Sequence, residues 1–94
     1  MLFRTALGEV LKEIRLEKHL TLRETCAKAF IALGYLSEIE RGKKELSSEP
    51  LDQLAKALGT TASAIVVEVG YRMGDYVDPF IESSKVSELV SSSF

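Results

Sequence analysis

The sequence predicts an all-α fold, with five helices in one domain and an additional helical C-terminal tail. Three observations predict it. Apolar residues recur at three- and four-residue spacing in five successive segments, as helices with one buried stripe require. Capping residues bound most of those segments. The chain of 94 residues has the length of one domain with a modest core. A core that small leans towards an oligomer, because association adds buried surface.

The first helix is expected from about Thr5 to Lys18, with Leu7, Val10, Leu11 and Ile14 on its apolar stripe and Leu16 as a marginal member. His19 stands at its stop, where a residue tolerant of positive φ is needed. The second helix, Leu22 to about Ala29, begins at a capping box formed by Thr21 and Glu24. Phe30-Ile31-Ala32 interrupts the pattern. A third helix, Leu33 to Arg41, ends at Gly42, a C′ glycine. Ser47 or Ser48 is the cap of a fourth helix with Pro50 in its first turn and Leu51, Leu54, Ala55 and Leu58 facing inward; Gly59 ends it. Thr60 or Thr61 caps a fifth helix holding Ile65, Val66 and Val69, which Gly70 and Gly74 weaken late. Asp78-Pro79 reads as a fresh helix start, and Val86, Leu89 and Val90 as one more short helix. The domain is therefore drawn at 1–69 and the tail at 70–94.

Composition narrows the function classes. With 46% hydrophobic and 28% charged residues, the chain has enough apolar side chains to fold. Its single cysteine, Cys26, rules out an intramolecular disulfide and fits a reducing compartment. No apolar run approaches the ~20 residues that span a bilayer, and Met1 to Arg4 lacks a signal peptide's apolar stretch. The expected location is cytoplasmic, with no membrane partner. One His and one Cys, without metal-ligand spacing, a nucleophile–base set or a phosphate-binding glycine loop, argue against an enzyme, a metal site or a cofactor. Cys26 reads as a small half-buried filler, with a redox-sensing thiol as the alternative. The net charge of −2 conceals an asymmetry: residues 1–44 carry nine Lys/Arg against six Asp/Glu, residues 45–94 three against eight. Such a chain can present a basic face to an anion.

Leu22 to Gly42 is the informative stretch. Two short helices joined by about three residues cannot run antiparallel and must cross steeply, the helix-turn-helix arrangement. The second helix can then enter a DNA major groove while the first lies across the backbone. Here the residues resemble a known family. Leu22-Arg23-Glu24 and the run Gly34-Tyr35-Leu36-Ser37-Glu38-Ile39-Glu40-Arg41-Gly42 resemble the Cro/CI-type (XRE) helix-turn-helix regulators. Leu11 and Arg15 in helix one, Leu54-Ala55-Lys56-Ala57-Leu58-Gly59 and the Thr-capped fifth helix match in order and spacing, so the resemblance covers about residues 5–68. It implies a lambda-repressor-like DNA-binding domain. With Lys44-Glu45 and Ser47-Ser48-Glu49 added, the pattern is most similar to the actinobacterial regulators of Clp protease genes.

Leu36 and Ile39 are expected to pin the recognition helix, 33–41, to the core. The resemblance implies a structural ion pair between Arg15 and Glu40, and base contacts at Leu33, Gly34, Tyr35 and Glu38. None of these four is the Arg, Asn or Gln that makes bidentate pairs with guanine or adenine. Glu38 can accept from a cytosine amino group, Leu33 can touch a thymine methyl, and Tyr35 can bond a phosphate or base edge or pack against the following connection. Affinity is therefore expected to lean on phosphates: Lys43 and Lys44 after the recognition helix, Arg23 in the first turn of helix two, and Ser37, with Lys28 and Arg41 as further candidates. Phe30 and Ala32 depart from the family, many of whose members have Gly and a capping Ser or Thr there. Phe30 makes a left-handed turn costly, so a looser turn is expected, leaving Phe30 as an exposed apolar contact for a partner. Ala32 forgoes a cap worth ~1 kcal/mol.

The resemblance implies a homodimer on a palindromic operator, paired through the fifth helix and beyond: Val66, Val69, Met73, Val77, Phe80, Ile81 and Leu89. Expected partners are double-stranded DNA and a second copy, with RNA polymerase or a regulatory protein as a further one. The competing class is an antitoxin or protein–protein adaptor of the same fold, whose apolar tail binds a partner protein.

Overall fold

The computed structural model describes residues 1–74, and among them five α-helices and no strand. They are α1 (Phe3–Glu17), α2 (Leu22–Ala29), α3 (Leu33–Glu40), α4 (Ser48–Ala57) and α5 (Ala62–Met73). Helix α1 packs on α3 and α5, α2 on α3 and α4, and α4 on α5. The core is where these stripes meet: Leu7, Val10 and Leu11 of α1 against Leu36 and Ile39 of α3, closed by Leu54, Ile65 and Val69. The expected tail helix, its Asp78-Pro79 start and Val77, Phe80, Ile81 and Leu89 lie outside the described residues.

Helix ends follow the capping chemistry with two exceptions. Helix α1 starts earlier than expected, on Leu2, without a side-chain cap. It stops as the sequence suggests: His19 takes φ 57°, its N–H donates to Leu16 O and the Leu20 N–H to Arg15 O. Gly42 at φ 71° closes α3 in the same way, with bonds to Ile39 O and, from Lys43, to Glu38 O. Thr21 forms its full capping box, and Thr61 accepts from the Ala64 N–H. At α4 the expectation is corrected. Ser47 occupies the N-cap, but its hydroxyl makes no capping bond, and Ser48 is already helical. Helix α5 runs through Gly70 to Met73 and stops at Gly74.

Three further corrections come from packing. Leu16 is exposed, because its position rotates it off the stripe of Leu7, Val10 and Leu11. Val69 is 0% exposed. It fills the domain's own core and has no surface to offer a second chain, so it leaves the expected dimer set. Phe30 does not loosen the turn: it adopts φ 59°, ψ 44°, the left-handed conformation that glycine would occupy without penalty. For an L side chain that costs roughly 1–2 kcal/mol.

Gly8 sets the spacing of α1 and α3. It is buried within α1, and a Cβ placed on it would overlap the carbonyl oxygens of Ile39 and Glu40, the latter at 2.8 Å. The two backbones meet almost directly there. Gly8→Ala is therefore expected to destabilise the fold by about 1–3 kcal/mol through overpacking, although in an unpacked helix the same change favours folding by about 1 kcal/mol. Urea unfolding decides the sign; an unchanged or raised midpoint would contradict the close approach.

Candidate nucleic-acid interface

Helix α2 is built by its cap. The Glu24 N–H donates to Thr21 Oγ1 at 3.0 Å, and the Thr21 N–H donates to Glu24 Oε1 at 2.9 Å. These bonds hold the Glu24 carboxyl below the usual carboxylate range. The box is complete at neutral pH and loses its contribution as pH falls through that lowered value. Thr25 adds a hydroxyl bond to Thr21 O at 3.0 Å. At the other end the Phe30 N–H and the Ile31 N–H both reach Cys26 O, which closes α2 and leaves Ile31-Ala32 to enter α3. Ala32 is the N-cap of α3 and supplies no side-chain bond, as expected.

Helix α3 is held from behind. Leu36 and Ile39 are buried in the core. Arg15 donates from Nε to Glu40 Oε2 at 2.7 Å, from Nη2 to Glu40 Oε1 at 2.9 Å and from Nη1 to Leu20 O at 2.8 Å. Both side chains are nearly sealed, at 9% and 6% exposure. The hydrogen bonds from Glu40 raise Arg15 above its ordinary value, against the opposing effect of burial. This arrangement joins α1, α3 and the α1–α2 link at one guanidinium.

The remaining surface of α3 carries the sequence-predicted site residues. Leu33 and Gly34 are exposed, Ser37 and Glu38 half-buried, and Tyr35 is half-buried with its ring packed against the core. Lys44 Nζ lies 3.6 Å from Glu38 Oε2, so two residues expected to act separately form a partly exposed pair. Arg4 reaches Glu45 at 2.9 Å and ties the α3–α4 connection to the start of α1. Among the described residues Arg23, Lys28, Arg41 and Lys43 are exposed and make no ion pair; the same holds for Lys12 and Lys18. Arg72, on the α1–α5 side, is instead held by Glu13 at 2.6 Å, with Glu9 and Glu68 nearby. Of the expected dimer residues, Val66 is exposed and Met73 half-buried against the core. Cys26 is buried, with Sγ 3.7 Å from Ala32 O, and burial pushes its thiol up. A thiol kept protonated and covered does not suit a redox sensor.

Sequence reasoning passed over Gly8, although a glycine inside an amphipathic helix is itself a signal of close packing. It noticed Phe30 without foreseeing its backbone.

Two short helices crossing at a three-residue turn, with the second pinned by its inner face, define the fold of DNA-binding helix-turn-helix regulators. The helix-turn-helix family pattern matches residues 11–65, and the chain belongs to that family, in its lambda-repressor-like Cro/CI (XRE) type. The transcriptional regulator ClgR of Mycobacterium tuberculosis is 46% identical over 72 residues, which are 77% of this chain and 64% of that relative. The chain thus spans less than two thirds of that relative's length. The crystal structure of the clp gene regulator ClgR from C. glutamicum aligns with a TM-score of 0.73 at 42% identity, covering 78% of this chain and 95% of that one. A structure of the nucleoprotein complex of C.Esp1396I aligns with a TM-score of 0.64 at 26% identity, over 73% of this chain and 95% of the other.

Removing one member of the buried ion pair strands the other. Arg15→Ala or Glu40→Ala is expected to cost about 3–5 kcal/mol, whereas Arg15→Met with Glu40→Leu stays much nearer the parent. Chemical unfolding of the three variants checks this; a mild loss from either single change would contradict a sealed pair. Cys26 in the native protein is expected to react with iodoacetamide at neutral pH far more slowly than in urea. Equal rates in the two states would show an open thiol.

Proposed function

We propose that the chain is a sequence-specific, DNA-binding transcriptional regulator that acts as a homodimer on a palindromic operator, with the recognition helix, 33–41, in the major groove. One observation carries the reading: every strong anchor of α3 lies on its inner side, in Leu36, Ile39 and the Arg15–Glu40 pair, which leaves Leu33, Gly34 and Glu38 facing outward beside the unpaired Lys43. A rigidly mounted outward face is what groove reading needs. Relatives named as transcriptional and clp gene regulators, and a structural relative solved as a nucleoprotein complex, support it. Those names make the DNA upstream of clp genes the first place to seek the operator.

Leu33, Gly34, Tyr35 and Glu38 would read base edges, and Arg23, Ser37, Lys43 and Lys44 would hold phosphates. Lys44 can leave Glu38 for a phosphate at little cost, because the pair is long and partly solvated. Dimerisation would draw on exposed Val66 and on Met73 at the end of α5, with the remaining residues supplied by 75–94. It would place two recognition helices about 34–36 Å apart, one turn of DNA.

Selection of bound sequences from a random library tests the proposal: a palindromic site with fixed half-site spacing is expected. On that site Lys43→Ala should weaken specific and random DNA alike and lower the salt slope by about 1 per subunit, whereas Glu38→Ala should change the preferred bases. Recovery of no preferred sequence would overturn the proposal, and equal losses on all DNA from both variants would overturn the division of roles.

A further inference from the structure

Phe30 is 87% exposed, more than any other large apolar side chain among the described residues. It also sits in the left-handed region at φ 59°, ψ 44°. Both properties oppose folding. The backbone shape disfavours an L side chain, and a ring left in water gains nothing from burial. The shape itself is required, because the Phe30 and Ile31 N–H groups must both reach Cys26 O to close α2 and turn the chain into α3 within three residues. The aromatic side chain is not required: glycine would make the same turn without penalty. A strained residue that the core does not use points to a role outside the fold.

The position of Phe30 says which role. It stands three residues ahead of Leu33, the exposed first residue of α3. The N-terminal residues of a recognition helix are the ones that meet base edges, so a side chain projecting from the turn before them flanks the same bases. The outward face of α3 holds no Arg, Asn or Gln, and the direct contact left to an apolar ring is the C5-methyl group of thymine. Lys28, two residues earlier and without an ion pair among the described residues, suits the adjoining phosphates. We infer that Phe30 is a specificity-determining residue, its ring contacting a thymine methyl in each half-site. This rests on the DNA-reading proposal above.

The test uses the operator recovered by selection, resynthesised with deoxyuridine in place of each thymine in turn. Affinities of the parent, Phe30→Gly and Phe30→Asn are measured by fluorescence anisotropy at one salt concentration. At one thymine per half-site the parent is expected to lose about four-fold per half-site, the worth of one buried methyl. Both variants should be indifferent to that replacement and should bind the all-thymine operator more weakly than the parent. Both should melt no lower than the parent, since Gly and Asn accept the backbone of the turn. Parental affinity in the variants, a parent indifferent to every replacement, or equal sensitivity in all three proteins would overturn the inference. A parent that selects no sequence defeats the DNA-reading proposal and this inference with it, a result visible before any variant is made.

Discussion

The guanidinium of Arg15 is the point on which the arrangement of α1, α2 and α3 depends. It grips both oxygens of Glu40 and the carbonyl of Leu20. A bidentate pair tolerates little rotation, so it sets the roll of α3 about its own axis, and with it which residues face outward. The neighbouring crossing at Gly8 sets the distance, since the backbone of α1 abuts the last carbonyls of α3. Hydrophobic burial of Leu36 and Ile39 supplies the attraction between the helices. Burial alone is non-directional, and orientation comes from the pair and the glycine contact together.

The turn between α2 and α3 carries the opposite kind of constraint. Its geometry is imposed by two N–H groups converging on Cys26 O, and its residues are poorly chosen for that geometry. Phe30 is strained, and Ala32 leaves the first turn of α3 without a side-chain cap. The adjacent helix therefore relies on tertiary anchoring more than on its own end. In eight residues a helix has little independent stability, which agrees with so many of its fixed contacts lying on the inner face.

Charge is partitioned along the same lines. Arg72 is surrounded by carboxylates of α1 and α5, whereas Arg23, Lys28, Arg41 and Lys43, along α2 and at the end of α3, carry no such partners among the described residues. A chain of net charge −2 can thus still offer a cationic surface to a polyanion. The Lys44–Glu38 pair moderates that surface, placing an acceptor and a donor of opposite charge side by side on the outward face.

Much of this was legible in the sequence. The 3.6-residue pattern fixed all five helices, and Thr21, Thr61, His19 and Gly42 marked ends that local hydrogen bonding enforces. The steep crossing followed from a connection too short for any other path. Arg15 and Glu40 were legible only through family resemblance, because 25 positions separate them and no local rule couples them. Three features were decided by tertiary structure. Gly8 looks like a weak helix position until α3 is laid on it. Val69 looks like any exposed valine of an apolar tail until α5 folds against α1. Phe30 looks unfit for a left-handed turn until the packing of α2 and α3 leaves the chain no other. Sequence by itself determines elements whose energetics are local; which surfaces remain after those elements pack depends on long-range contacts, and that was settled only in three dimensions.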